Sequence, residues 1–152
     1  MFVLLRDLQR LRRKVALSAP EVRGSLAARH VDAGSCNGCE HELGAASGPH
    51  YDLARFGLTI TASPRHADIL LITGPVTTRM LEPLRTAYAA MPEPRMVAAL
   101  GDCALGVGLL GDPEEWVGSV ADVLPVDVRI PGCPPTPDVI AAHLLEAMRH
   151  RS

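Results

Sequence analysis

The sequence is poor in aromatic residues, has little net charge and contains no long apolar segment. It has one Trp, two Tyr and two Phe among 152 residues, too few for the stacking surfaces that hold single-stranded nucleic acids. Its formal net charge of −2 is atypical of proteins that bind nucleic acids through a basic surface. No apolar run approaches the roughly 18–20 residues that span a bilayer. We therefore expect a globular protein with no nucleic acid among its partners.

Cysteine is also scarce, with four residues in the chain. The pair Arg12 and Arg13 is compatible with an export signal, but Ser18 and Pro20 interrupt the segment before an apolar stretch develops. We expect a cytoplasmic protein, in which thiols stay reduced. Four cysteines in that compartment favour a metal site over disulfides.

Length and hydropathy patterning predict one domain preceded by a short arm. A chain of 152 residues, of which 47% are hydrophobic, is long enough to build a single core. In residues 1–22, Leu4, Leu8 and Leu11 recur every three or four positions between arginines, which predicts a basic amphipathic helix. This helix is expected to pack on the domain or on a partner subunit, or to lie against an anionic membrane. Residues 23–152 are expected to form one α/β domain.

From about residue 50, apolar β-branched segments alternate with helical patterns. A helix is predicted at 76–91, with Pro83 in the first turn of its main part, and another at 136–150, with Thr136 as N-cap and Pro137 at the first helical position. Apolar strands separated by helices indicate a parallel sheet covered on both faces. The predicted fold is a three-layer, doubly wound α/β domain, in which ligands bind beyond the carboxyl ends of the strands. The predicted strands are 58–63, 67–74, 95–101 and 123–130.

The four cysteines are placed for a common site. Two lie three positions apart in the glycine-rich segment DAGSCNGCEHEL (32–43), and each of the other two comes just after a predicted strand. Because the carboxyl ends of parallel strands share one edge of the sheet, the two later thiols are expected at that edge. The early pair need only fold onto the same edge to complete a four-thiol site. Its members are Cys36, Cys39, Cys103 and Cys133.

Four thiolates suit zinc or an iron–sulfur cluster. Structural zinc sites usually use two C-x-x-C pairs in a small fold, whereas this chain has one pair and two isolated cysteines. A cubane accepts ligands from separate loops because its irons occupy separate corners. Glycines near each cysteine, among them Gly101 in the Cys103 loop, would let backbone N–H groups approach the sulfur atoms. Pro134 follows the last cysteine as in bacterial ferredoxin loops. The pattern favours one [4Fe–4S] cluster. A zinc-stapled α/β interaction module and unrelated buried or reactive thiols are the alternatives.

Several blocks of the sequence resemble one known family, namely DAGSCNGCEHEL, RFG, ASPRHADILLITGPVT, GDCA and LPVDVRIPGCPPTPD. Over roughly residues 30 to 145 the chain is similar to the cluster-bearing small subunits of membrane-bound group 4 [NiFe] hydrogenases, including those of formate hydrogenlyase. It is also similar to the homologous B subunit of NADH-quinone oxidoreductase (complex I). The resemblance implies a flavodoxin-like fold and a single [4Fe–4S] cluster bound by the four cysteines.

The resemblance also implies a function and a set of partners. The spaced C-N-G-C motif favours the hydrogenase branch, because complex I subunits typically have two adjacent cysteines there. The implied protein is an electron-transfer subunit of a membrane-associated oxidoreductase and is not catalytic alone. Its cluster would lie next to the active site of a large subunit that carries a NiFe centre or, in the complex I branch, a quinone site. A ferredoxin-like Fe–S subunit and membrane subunits are further implied partners, on the cytoplasmic side of the cell membrane.

Two acidic residues beside the cysteine pair are further candidates. Glu42 matches a glutamate of the family, and Glu40 is frequent in the hydrogenase branch. Both acids could stabilise a helix N-terminus or pair with a partner; alternatively Glu42, and more weakly Glu40, is a candidate proton relay. The chain departs from the family after Cys103, where ALGVGLLG stands in place of an Asn- and Gly-Gly-containing stretch. It departs again at Thr136, where the family commonly has Arg. These departures concern hydrogen bonds around the cluster and one partner contact, not ligation.

Overall fold

The computed structural model describes residues 24–108 and 113–150. The amphipathic helix predicted for residues 1–22 lies outside the described residues. In chain order, the elements are β1 (Leu26–Asp32), α1 (Gly38–Ser47), β2 (Leu58–Ile60), β3 (Ile69–Thr73), β4 (Val76–Thr77), α2 (Leu81–Ala89), β5 (Met96–Leu100), β6 (Trp116–Gly118), β7 (Val128–Ile130) and α3 (Pro137–His150).

The main sheet has five parallel strands in the order β2-β1-β3-β5-β7. Within this sheet the chain starts at the interior strand β1, continues to the edge strand β2 and then crosses to β3 on the other side of β1. This is the flavodoxin-like strand order, and its direction reverses between β1 and β3. Loops at the carboxyl ends of these two strands diverge and leave a crevice for a ligand. The predicted doubly wound α/β fold is confirmed.

Helices cover both faces of the sheet, which makes three layers. On one face α1 and α3 pack over strand side chains such as Ile69 and Leu71. On the other face, the alternate residues Leu70 and Ile72 pack against α2 and its neighbouring loops. All five side chains of β3 are buried, because a central strand has a helical layer on each side. Each such leucine or isoleucine contributes about 1.5–3 kcal/mol when removed from water.

Three parts of the sequence-based prediction differ from the structure. Strand β1 was not predicted, since Leu26–Asp32 contains only one β-branched residue and alternates irregularly between buried and half-buried positions. The predicted helix 76–91 begins only at Leu81, because its first residues form β4 and pair antiparallel with β6. The predicted strand 123–130 is reduced to β7, and Pro125, which has no N–H to donate, lies in the part that does not pair. Pro83 and Pro137 lie in the first turns of α2 and α3 as predicted.

Among the residues that the structure describes, no helix combines the length and the apolar character needed to cross a bilayer.

Candidate metal centre

All four cysteines line one cavity at the carboxyl edge of the sheet. The cavity lies at the reversal point, since β1 leads into the Cys36–Cys39 segment and Gly74, which follows β3, forms part of its wall. The four side chains are thiols rather than disulfides. The structure thus brings together the four thiols that the sequence singled out, while metal binding by them stays a prediction. The lining residues are Ser35, Cys36, Gly38, Cys39, Gly74, Asp102, Cys103, Gly132, Cys133 and Pro134.

A side-chain turn places the first two thiols. Asp32, the last residue of β1, accepts hydrogen bonds through Oδ1 from the backbone N–H groups of Gly34, at 2.9 Å, and Ser35, at 2.7 Å. The chain then enters α1 through Asn37, which has a left-handed conformation with φ of 73°, a region that asparagine tolerates. Cys36 therefore stays in the exposed loop, while Cys39 lies in the first turn of α1.

The loops that carry the other two thiols are bonded to each other. Beyond the pairing of β5 with β7, the N–H of Asp102 donates to the carbonyl of Gly132 at 2.9 Å. In return, the N–H of Gly132 donates to Oδ1 of Asp102 at 2.8 Å. These two bonds hold the Cys103 and Cys133 loops in one register. Cys103 is 9% exposed, whereas Cys133 is exposed.

Glycines allow the backbone to approach the thiols closely. A Cβ atom at Gly101, where φ is 91°, would lie 2.5 Å from Sγ of Cys39. A Cβ atom at Gly108 would lie 2.4 Å from Sγ of Cys103. Both distances are far below van der Waals contact, so any other residue at either position would displace a thiol. Gly101 was predicted from the sequence to flank the site. Gly108 was not, because nothing in its local sequence shows that the chain folds back onto Cys103.

Electrostatics within the cavity disfavour bare thiolates. Burial, followed by the charges of Glu40 and of the other three thiols, raises the pKa of Cys39 to about 12. These contributions place the other three thiols within electrostatic reach of Cys39. Four thiolates collected in one cavity repel each other, and a bound cationic centre would supply the compensating charge. The donor set and the glycine-lined cavity therefore fit a thiolate-ligated metal centre.

In residues 24–108 and 113–150, no group of three or more His, Cys, Asp or Glu forms a site for a metal ion, so the kind of centre that the four thiols hold stays a prediction.

The two candidate acids have different surroundings. Glu40 is 17% exposed, and its Oε1 accepts a hydrogen bond from the hydroxyl of Thr73 and lies 3.5 Å from Nε2 of His30. Glu42 is half-buried, and no hydrogen-bond or ion-pair partner is found for it in the described part of the chain. The sequence favoured Glu42 over Glu40 as the candidate proton relay, whereas in the structure Glu40 is the acid that contacts other side chains. His30 and Thr73 were missed because they are 43 residues apart and meet only through the pairing of β1 with β3.

Fold and site together define an α/β protein of flavodoxin-like topology with a four-thiol cavity at its strand reversal point. The chain belongs to the family described as NADH ubiquinone oxidoreductase, 20 Kd subunit, whose model matches residues 36–147. It is thereby a relative of oxidoreductase subunits, as the sequence blocks implied.

Curated relatives include hydrogenase and complex I subunits. The probable membrane-bound hydrogenase subunit mbhJ of Pyrococcus furiosus is 42% identical over 132 residues, which is 87% of this chain and 79% of the relative. Formate hydrogenlyase subunit 7 of Escherichia coli is 44% identical, over 77% of this chain but 46% of its own length. The B subunit of the NADH-quinone oxidoreductase of Geobacter metallireducens is 44% identical, over 71% of this chain and 63% of its own length. The chain thus spans less than two thirds of the last two relatives.

Solved structures of similar fold come from redox complexes. A chain of the membrane-bound sulfane sulfur reductase (MBS), an archaeal respiratory membrane complex, superposes with a TM-score of 0.69 and 33% identity, over 83% of this chain and 71% of that chain. A chain of an NAD+-reducing [NiFe]-hydrogenase superposes with a TM-score of 0.66 and 25% identity, over 84% of this chain and 93% of that chain.

Proposed function

We propose that this protein is the electron-transfer subunit of a membrane-associated oxidoreductase complex and holds one [4Fe–4S] cluster through Cys36, Cys39, Cys103 and Cys133. The observation that carries the proposal is that the four thiols line one cavity at the strand reversal point. Membership of the family supports it, because the homologous subunits belong to hydrogenase, formate hydrogenlyase and complex I assemblies. A bound cluster would supply a one-electron carrier.

The residues of the cavity divide into an inner and an outer side. Cys103 is buried and Cys39 is half-buried, whereas Cys36 and Cys133 are exposed. Electrons would therefore enter or leave past the exposed pair, and a partner subunit would cover this side and exclude water from the cluster. We infer that the large subunit docks here, with its NiFe centre, or its quinone site in a complex I-like assembly, near the exposed thiols.

The hydrogenase-like assembly is the favoured one. The C-N-G-C spacing at Cys36 and Cys39 is typical of that branch, and the Pyrococcus furiosus hydrogenase relative aligns with more of this chain than does the Geobacter metallireducens complex I relative. A ferredoxin-like Fe–S subunit would exchange electrons with the cluster, and membrane subunits would hold the assembly on the cytoplasmic side of the cell membrane. The complex I-type role, with electrons passing to quinone, is the alternative.

Cluster reconstitution of the full chain tests the cofactor. Anaerobic incubation with iron and sulfide should give a brown protein with about four iron atoms per chain, the composition of the cluster. Reduction by dithionite should bleach the visible absorbance and produce an electron paramagnetic resonance (EPR) signal. A colourless protein that binds zinc instead would refute the proposal and support a zinc-stapled module.

The variant Cys133→Ser tests the ligand set. It should lose the intact cubane or retain only a three-iron form, because one iron then lacks its thiolate. Full cluster content together with normal electron transfer in this variant would refute the assignment. Isolation of the complex from its native cells then identifies the branch: a large subunit with paired C-x-x-C motifs indicates nickel ligation, and one without them indicates the quinone-reducing type.

A further inference from the structure

A chain of hydrogen bonds lies directly behind the cysteine pair. His30 on β1, Thr73 on β3 and Glu40 on α1 form it. Nε2 of His30 is 3.0 Å from Oγ1 of Thr73, and the Thr73 hydroxyl donates to Oε1 of Glu40. A hydroxyl group has a single proton, so Thr73 must accept a hydrogen bond from Nε2–H of His30. The direction of the chain is therefore fixed, and it ends on the Glu40 carboxylate.

The position of the Glu40 carboxylate is energetically unfavourable for one of its two oxygens. Thr73 is the one buried polar residue among the side chains that the structure describes, with 0% exposure. Oε2 of Glu40 is also buried and has no hydrogen-bond partner in the described part of the chain. A buried acceptor without a partner costs about 1–3 kcal/mol. Oε1 of Glu40 is thus held by the Thr73 hydroxyl, with His30 at 3.5 Å, whereas the other oxygen is not compensated.

The position of Glu40 relates it to the four-thiol cavity. It directly follows Cys39 in the first turn of α1, and the residue after Thr73 is Gly74, which lines the cavity. Both ends of the Thr73–Glu40 hydrogen bond are therefore one residue away from the cavity wall. The charge of Glu40 is also within electrostatic reach of the Cys39 thiol.

We propose that Glu40, held by the positioning residue Thr73, lowers the reduction potential of the cluster bound by the four cysteines. The inference rests on the proposed cluster and deepens it. Reduction adds one electron to a site that already carries thiolate charge, and a fixed carboxylate beside that site disfavours the added charge. Removal of the carboxylate charge, or of the hydrogen bond that retains it, should make the cluster easier to reduce.

The test compares midpoint potentials of the reconstituted full chain, measured by EPR-monitored redox titration at one pH. Glu40→Gln keeps the shape of the side chain and removes its charge, so the potential should shift to a more positive value. Thr73→Val keeps the shape and removes the hydroxyl, which leaves only His30, with Nε2 at 3.5 Å, beside Oε1 of Glu40 in the described residues. The potential should shift in the same direction, because the carboxylate is then no longer fixed beside the cluster.

Two control variants separate this effect from general damage. Thr73→Ser retains the hydroxyl and should restore the wild-type potential. Glu82→Gln makes the same charge change on the exposed side of α2, beside Arg85 and on the opposite face of the sheet, and should leave the potential unchanged. Iron content and the EPR line shape should match wild type in all four variants. If Glu40 had a purely structural role, Glu40→Gln would leave the midpoint potential unchanged.

The outcomes distinguish this inference from the proposed function. If the wild-type chain assembles no cluster, both proposals are refuted. If the cluster assembles and Glu40→Gln has the wild-type potential or a more negative one, this inference alone is refuted. Should Thr73→Val fail to fold, the comparison of Glu40→Gln with Glu82→Gln still decides the question.

Discussion

Replacement of Gly101 by alanine tests how far the backbone around the thiols tolerates a side chain. Gly101 directly follows β5 with a φ of 91°, and an added Cβ would lie 2.5 Å from Sγ of Cys39. An L-residue in left-handed backbone costs about 1–2 kcal/mol. Cys39 must also leave its preferred rotamer to avoid the methyl group, which costs about 0.5–1.5 kcal/mol more. The free energy of unfolding of the apoprotein should therefore fall by about 1.5–3.5 kcal/mol.

The effect of Gly101→Ala on the cluster should exceed its effect on the fold. A domain of this size has a free energy of unfolding of about 5–15 kcal/mol, so the variant should remain folded. The displaced sulfur atom, however, is one of the four proposed ligands, and iron content after reconstitution should drop sharply. Urea unfolding followed by circular dichroism measures the first quantity, and iron analysis with visible absorbance measures the second.

Gly44→Ala is the matched control for this variant. Gly44 lies within α1, close to the same site, and an added Cβ would have no other atom within 4 Å. Alanine in a helix interior is about 1 kcal/mol more favourable than glycine, so this variant should gain stability and keep its full iron content. If Gly101→Ala keeps both wild-type stability and full iron content, the inference that Gly101 lies too close to Cys39 for a side chain is refuted.

Two further predictions concern the loops that carry Cys103 and Cys133 and the half-buried His30. Asp102→Ala removes the acceptor of the 2.8 Å hydrogen bond from Gly132, so the free energy of unfolding should fall by about 1–2 kcal/mol and a chelator should remove iron faster. Asp102→Asn keeps an acceptor and should behave like wild type. Equal rates of iron removal in all three proteins would contradict the role of Asp102 in holding the two loops together. Burial lowers the pKa of His30 below 6.5, although Glu40 and Asp32 oppose the shift. The unfolded chain therefore binds the proton more tightly, so the contribution of His30 to stability is complete above pH 6.5 and is lost as the pH falls below it. Urea titrations of the apoprotein at several pH values should show this loss in wild type and not in His30→Gln, and identical pH profiles would refute it.

The thiol site was predictable because its signals are local. Each of the two isolated cysteines directly follows an apolar segment that reads as a buried strand, and in a parallel sheet this fixes their edge without any knowledge of strand order. Gly101 was predictable for the same reason, since it stands two positions from Cys103. The prolines at the starts of α2 and α3 also act locally, through a missing N–H that costs little in a first turn.

The strand order and the surroundings of Glu40 were not predictable in this way. Strand β1 has few β-branched residues, and its place between β2 and β3 depends on pairing with partners that are distant in sequence. Thr73 is 33 residues from Glu40 and 43 from His30, so no periodicity relates them. Glu42 stood out in the sequence because it matches the family, whereas Glu40 is the acid that the fold connects to the sheet.

The amino-acid sequence by itself determined the alternation of strands and helices, the four thiols and their common edge, because these follow from hydropathy period and from residues next to one another in the chain. Only the tertiary structure decided which strands are neighbours, which glycines lie against a sulfur atom and which acid near Cys39 bonds to the sheet. Those features arise from the register between segments far apart in the chain, where a contact depends on the packing of the whole sheet and not on any local pattern.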